Sequence, residues 1–128
     1  MPKIAIISVA HIHSRQYCDA ISKSVSTKAP YAIWDENPER GQKYATEFKC
    51  KFEPKLDKLV ADPEVDGFVL CAENTRHLPL LRKAIPVGKP IMCEKPLATK
   101  PEDADEIVAL AHKHNTPIIC GYYLPFNG

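Results

Sequence analysis

Apolar residues along this chain fall into two rhythms. Short runs that are apolar almost throughout occur at residues 3–8, 30–34, 50–52, 67–72, 90–93 and 117–120, and each reads as a β-strand. Between them the apolar positions recur at helical spacing. A helix is predicted over about 12–25. Asn37 caps a second, with Pro38 at its first position, where a missing N–H costs nothing. Leu56, Leu59 and Val60 share one side of a short helix that Pro63 ends, and a further helix is expected over about 75–85. Thr99-Lys100-Pro101-Glu102 has the form of a capping box, opening a helix whose Ala104, Ile107, Val108 and Ala111 form the buried stripe.

Strands that are apolar without alternation are buried on both faces, which is how parallel sheets read. Strands separated by helices then give an α/β domain. The expected fold is a doubly wound, mostly parallel six-stranded sheet in the order 3-2-1-4-5-6, sandwiched as three αβα layers. At 128 residues the chain is long enough to bury a core without staples. A net charge of +1 with scattered basic residues argues against nucleic acid or an acidic membrane as partner. No apolar run approaches the ~20 residues of a membrane span, and no signal peptide is visible at the N-terminus. The five cysteines form no CxxC pair, and Cys71, Cys93 and Cys120 lie inside strand-like runs. That placement predicts reduced, buried thiols and a cytoplasmic location.

Two places carry candidate chemistry. Glu94-Lys95-Pro96 follows the fifth strand and delivers a carboxylate and an amine to the carboxyl edge of the sheet, where ligands of open α/β sheets bind. An ordinary surface turn is the plain alternative. The turn after the first strand, Ser8-Val9-Ala10-His11-Ile12-His13, keeps the spacing of a dinucleotide-binding glycine fingerprint with Ser, Ala and His in place of the glycines. Small residues at 8 and 10 permit close approach of a pyrophosphate, whereas His13 does not reproduce the helix–strand packing of a third glycine. Asp35 closes the second strand, where a carboxylate accepts ribose hydroxyls and repels a 2′-phosphate, so NAD is expected over NADP; helix-start chemistry is the alternative. Arg40, five residues on, keeps NADP open. His11 and His13 lack further converging metal ligands, and no metal is expected. His112 and His114 fall in the last turn of a helix, where cations are favoured without any function.

The series Ser8-x-Ala10-x-x-His13, Trp34-Asp35-x-Asn37-Pro38-Glu39-Arg40, Val65-Asp66-Gly67-Phe68-Val69, Asn74-x-x-His77 and Gly88-Lys89-Pro90-Ile91-Met92-Cys93-Glu94-Lys95-Pro96-Leu97-Ala98 resembles the glucose–fructose oxidoreductase/inositol dehydrogenase/MocA (Gfo/Idh/MocA) family over essentially the whole chain. The resemblance implies a Rossmann domain binding NAD, with NADP possible. It implies cofactor contacts from the loop 8–13, Asp35, Ala72 at the end of the fourth strand, Asn74, His77, Glu94, Lys95 and Tyr123, with Lys95 acting in proton transfer or substrate orientation. It also implies a second α+β domain that supplies an acid/base histidine. On that reading residues 1–123 are the dinucleotide-binding domain and 124–128 begin the link onward. The chain departs from the family pattern in its missing glycines, in Pro79 and Pro86, which are expected to interrupt the helix after strand four, and in Leu124-Pro125, where many members carry arginine.

Three readings stay open at this point. One is the cofactor domain of a sugar or polyol dehydrogenase, inactive without its second domain. Another is a non-enzymatic dinucleotide-binding regulatory or partner-binding module, and the third is a fold remnant that binds nothing. Self-association or docking to the second domain is expected in the first case, through apolar surface left at the sheet's carboxyl edge.

Overall fold

The computed structural model describes residues 2–10, 14–24, 29–72, 76–94 and 100–121. The strands are β1 (Ile4–Ile7), β2 (Ala32–Trp34), β3 (Lys51–Phe52), β4 (Gly67–Leu70), β5 (Ile91–Glu94) and β6 (Ile118–Gly121). They form one sheet in the order β3-β2-β1-β4-β5-β6, with every neighbouring pair parallel. The helices are α1 (Ser14–Lys23), α2 (Pro38–Glu47), α3 (Leu56–Ala61), α4 (His77–Ala84) and α5 (Pro101–His114). Topology and element order are those expected from the apolar runs.

The period-2 alternation of strand side chains divides the core into two layers. Ala5 and Ile7 of β1 and Phe68 and Leu70 of β4 pack with Leu59 of α3, Leu81 of α4 and Ile107 of α5. The intervening Ile6 and Val69 point the other way, toward Cys18 of α1 and Ala45 of α2. Among the described residues, three helices therefore cover one face and two the other. Ion pairs brace the first set from outside: Lys83 of α4 meets Asp57 of α3 at 2.7 Å, and Arg82 meets Glu106 of α5 at 2.6 Å.

The two-helix face is not fully covered. Val69 in β4 is 8% exposed, Met92 in β5 is half-buried, and Ile119 in β6 is 61% exposed. A groove of about 530 Å³ runs over this corner, with Ile4, Tyr17, Ile21, Met92 and Ile119 among its walls. Exposed apolar surface thus lies on this face at the β5–β6 side of the sheet.

Several local expectations need correction. The N-cap of α5 is Lys100, with no side-chain capping bond, so Glu102 stands one position earlier in the helix than a box built on Thr99 requires; Thr99 itself lies outside the described residues. Val108 is 57% exposed and does not belong to the buried stripe, while Ile107 is 1% exposed. Successive helical residues point about 100° apart, and α5 lies down on Ile107 with Leu110 beside it, which turns Val108 to solvent. The first helix ends at Lys23, short of residue 25. Pro79 does not break α4, because it sits in the first turn, where N–H groups lack helical partners anyway. Pro86 falls in a separate 3₁₀ turn, Ile85–Val87, closed by Gly88 at φ 84°. Glu94 is the last residue of β5, paired with Gly121, and does not merely follow the strand.

Candidate dinucleotide site

In the register of β1 and β2, Ile7 lies opposite Trp34, so both strands end side by side and present Ser8 and Asp35 as their next residues. Ser8 is fully buried and adopts φ 72°, the left-handed region a fingerprint glycine would occupy. A side chain there costs about 1–2 kcal/mol. Its hydrogen bonds offset that cost. The Ser8 N–H donates to the Trp34 carbonyl at 2.7 Å, and Ser8 Oγ accepts the Ala10 N–H at 3.2 Å. The single hydroxyl proton of Ser8 faces Asp35 Oδ1 at 3.1 Å and Glu36 Oε1 at 3.0 Å.

Asp35 is 2% exposed and organises this corner. Its Oδ1 also accepts the Val9 N–H at 2.8 Å, while Oδ2 accepts Arg40 Nε at 2.6 Å and the Asn37 N–H at 3.2 Å. Arg40 reaches back because Asn37 caps α2, its Oδ1 accepting the N–H groups of Glu39 and Arg40 at 3.1 and 3.2 Å. Gly41 lets the helix come close: a Cβ at that position would stand 2.9 Å from Asp35 Cβ and 2.5 Å from the Phe52 ring. Arg40 Nη2 also donates to Glu36 Oε1 at 3.1 Å.

A second group of residues gathers at the ends of β4 and β5. His77, at the start of α4, is fully buried. Its Nε2 lies 3.1 Å from the Ala72 carbonyl, which can only accept, so Nε2 carries the proton. Its Nδ1 lies 3.5 Å from Cys93 Sγ, whose thiol also faces the Glu94 carbonyl at 3.5 Å. His77 thereby ties the end of β4 to β5, beneath the edge where Glu94, 3% exposed, leaves the strand. Burial pushes the Cys18 thiol up to about 12, Cys50 up to about 11 and Cys71 well above its ordinary value, which disfavours the thiolate at each.

Of the residues singled out in the sequence, Ser8, Val9, Ala10 and Asp35 come together at one corner, and Ala72, His77 and Glu94 belong to the other. His11, Ile12, His13, Asn74, Lys95 and Tyr123 lie outside the described residues. Among the described residues no cluster of His, Cys, Asp or Glu could hold a metal, and no helix is long and apolar enough to cross a membrane. Glu36 and Gly41 are parts of the site that the sequence reading missed. The Glu36–Arg40 spacing of four was the available signal, as was a glycine inside a helix with no local reason to be there.

The corner so built has the position and backbone form of a dinucleotide cradle, and comparison with known proteins agrees. The model of an oxidoreductase family with an NAD-binding Rossmann fold matches residues 3–122. The chain belongs to the Gfo/Idh/MocA oxidoreductase family. Within it, the chain is 38% identical over 94 residues to a 1,5-anhydro-D-fructose reductase of Ensifer adhaerens, covering 73% of this chain and 28% of that protein. It is 28% identical over 123 residues to a UDP-N-acetylglucosamine 3-dehydrogenase of Acidithiobacillus ferrooxidans, covering 94% and 36%. The crystal structure of an NAD-binding oxidoreductase from Klebsiella pneumoniae superposes with a TM-score of 0.81 at 25% identity, covering 94% of this chain and 34% of that one. The chain therefore spans about a third of the length of these family members and corresponds to their NAD-binding domain.

Proposed function

We propose that this chain is the cofactor-holding part of a sugar or polyol dehydrogenase, binding NAD in preference to NADP. The observation that carries the reading is the tie between Val9 N–H and Asp35 Oδ1 at 2.8 Å, beside the left-handed Ser8. It shapes the β1 loop for a pyrophosphate and puts negative charge where the adenosine ribose would lie. The turn at Ser8–Ala10 faces the phosphates, and the Ala72, His77 and Glu94 corner supports the nicotinamide end. The bound dinucleotide supplies the hydride chemistry; the protein binds and orients it.

Lys95 directly follows the buried Glu94, and its role in this proposal is to orient substrate or move a proton beside the nicotinamide. Sugar specificity and the partner acid/base group belong to polypeptide of the kind that makes up the other two-thirds of the relatives. The exposed apolar corner at Ile119 and Met92 supports burial of that face against further polypeptide.

The test is to combine purified 1–128 with NAD and inositol, glucose or related polyols. Nucleotide binding without NADH formation is the expected result, because residues 1–128 span only about a third of the relatives' length and hydride transfer needs a substrate held against the cofactor. In a longer form carrying a second domain, Lys95→Ala should keep dinucleotide affinity and lower turnover by roughly 10²–10⁴-fold. Sustained, protein-dependent NADH production by 1–128 alone would contradict the proposal.

A further inference from the structure

Both oxygens of the acidic residue at the end of β2 are engaged by the protein itself. Asp35 Oδ1 faces Ser8 Oγ and the Val9 N–H, and Oδ2 faces Arg40 Nε and the Asn37 N–H. A carboxylate offers about four lone-pair directions; the Val9, Asn37 and Arg40 donors take three, and the Ser8 hydroxyl, shared with Glu36, faces the fourth. A ribose diol arriving at this carboxylate would have to displace the contacts that shape the loop. Glu36 is arranged differently. Its Oε1 receives Arg40 Nη2 and shares the Ser8 hydroxyl, but its Oε2 is buried with no hydrogen-bond donor among the described residues. Its side chain as a whole is 21% exposed, so the residue stands at the mouth of the corner and not beneath it. A buried acceptor left without a donor is unfavourable, and a ligand hydroxyl is the group that removes the deficit.

We infer that Glu36, not Asp35, accepts the adenosine ribose hydroxyls, and that the Glu36–Arg40 pair sets the preference for NAD over NADP. The inference rests on the dinucleotide reading proposed above. Its charge logic follows from the contacts. Arg40 is the cation that would attract a 2′-phosphate, yet it is held by Asp35 at 2.6 Å and Glu36 at 3.1 Å. Two carboxylates and one guanidinium leave the trio with one net negative charge, set against a doubly charged phosphate. Neutralising Glu36 removes the ribose acceptor and the repulsion together, and frees one arm of the guanidinium. Asp35 becomes a positioning residue, acting on the ligand through Val9 and Arg40.

The experiment is calorimetric titration of ADP-ribose and 2′-phospho-ADP-ribose into the parent chain, Glu36→Gln and Asp35→Asn, with a urea midpoint for each protein. These probes report on the adenosine half alone and need no second domain. The parent should prefer ADP-ribose. Glu36→Gln should bind ADP-ribose roughly 10- to 100-fold more weakly. It should bind the 2′-phosphorylated probe as tightly as the parent or more so, and unfold near the parent midpoint. Asp35→Asn should show its main effect as a lowered midpoint; a variant too unstable to purify agrees with that role. Parental ADP-ribose affinity in Glu36→Gln would overturn the assignment of the ribose acceptor. Equal affinity of the parent for both probes would overturn the charge logic. Failure of the parent to bind either probe at millimolar concentration would instead refute the dinucleotide reading beneath both.

Discussion

Asp35 Oδ1 accepts the backbone N–H of Val9 at 2.8 Å, so the carboxylate that closes β2 holds the loop that leaves β1. Neither residue needs a ligand to be placed. Removing the carboxylate should therefore show as lost stability even without nucleotide. Asp35→Ala leaves the Val9 amide without its acceptor and Arg40 without its closest acid, and is expected to cost about 2–4 kcal/mol. Urea unfolding of the ligand-free protein checks this. A midpoint within error of the parent would show that the corner is not held by Asp35.

The left-handed backbone of Ser8 gives an ordering of variants. Ser8→Ala keeps the strained conformation and loses the hydroxyl, so it should be about 1–2 kcal/mol less stable than the parent. Ser8→Gly loses the same hydroxyl but relieves the strain, and should fall between the two. Thermal midpoints for the three proteins settle the order. Alanine above glycine would mean that φ at residue 8 is not positive in solution.

Gly41 is tested by the smallest possible addition. Its α2 position would ordinarily gain about 1 kcal/mol from alanine on helix propensity alone. Here a Cβ meets the Phe52 ring at 2.5 Å and Asp35 Cβ at 2.9 Å, so Gly41→Ala should instead destabilise by about 1–3 kcal/mol. Repeating the change in a Phe52→Leu background, where the ring no longer crowds the site, should recover part of the loss. Full additivity of the two substitutions would mean that they do not share this contact.

These sites also show what the sequence could and could not tell. Uninterrupted runs such as 67–72 declared a parallel sheet, because only strands covered on both faces dispense with polar positions. Ser8 and Asp35 were legible from spacing, since the two strand ends must meet at the first crossover. What Asp35 binds was not legible: its donors come from the loop, the cap and α2, and only the folded geometry brings them onto both of its oxygens. His77 was legible only through the resemblance, because one histidine at a helix start carries no pattern; the fold buries it between Ala72 and Cys93. Val108 was misplaced because an apolar residue next to Ile107 fits a helical stripe on paper. How α5 is rolled on the sheet depends on contacts with α4 that no local pattern encodes.

The buried thiols predict a pH dependence. Their ordinary value is 9.0, and burial raises Cys18 to about 12 and Cys50 to about 11. The unfolded chain releases these protons above pH 9 while the folded chain keeps them. Their contribution to stability is therefore whole below that pH and is lost as pH rises toward the folded values. Cys18→Ala should flatten the alkaline fall of the urea midpoint relative to the parent. Identical slopes for the two proteins would show that the Cys18 thiol ionises equally in both states.

The most direct test uses the protein's single tryptophan, Trp34, which ends β2 immediately before Asp35. NADH absorbs where tryptophan emits, so a dinucleotide seated at this corner accepts energy from Trp34. Titration of NADH into the 128-residue chain should give saturable quenching of Trp34, reversed by ADP-ribose, with NADPH needing higher concentrations for the same effect. Trp34 emission that stays unchanged up to millimolar NADH, after correction for absorbance, would contradict a dinucleotide site at the carboxyl ends of β1 and β2.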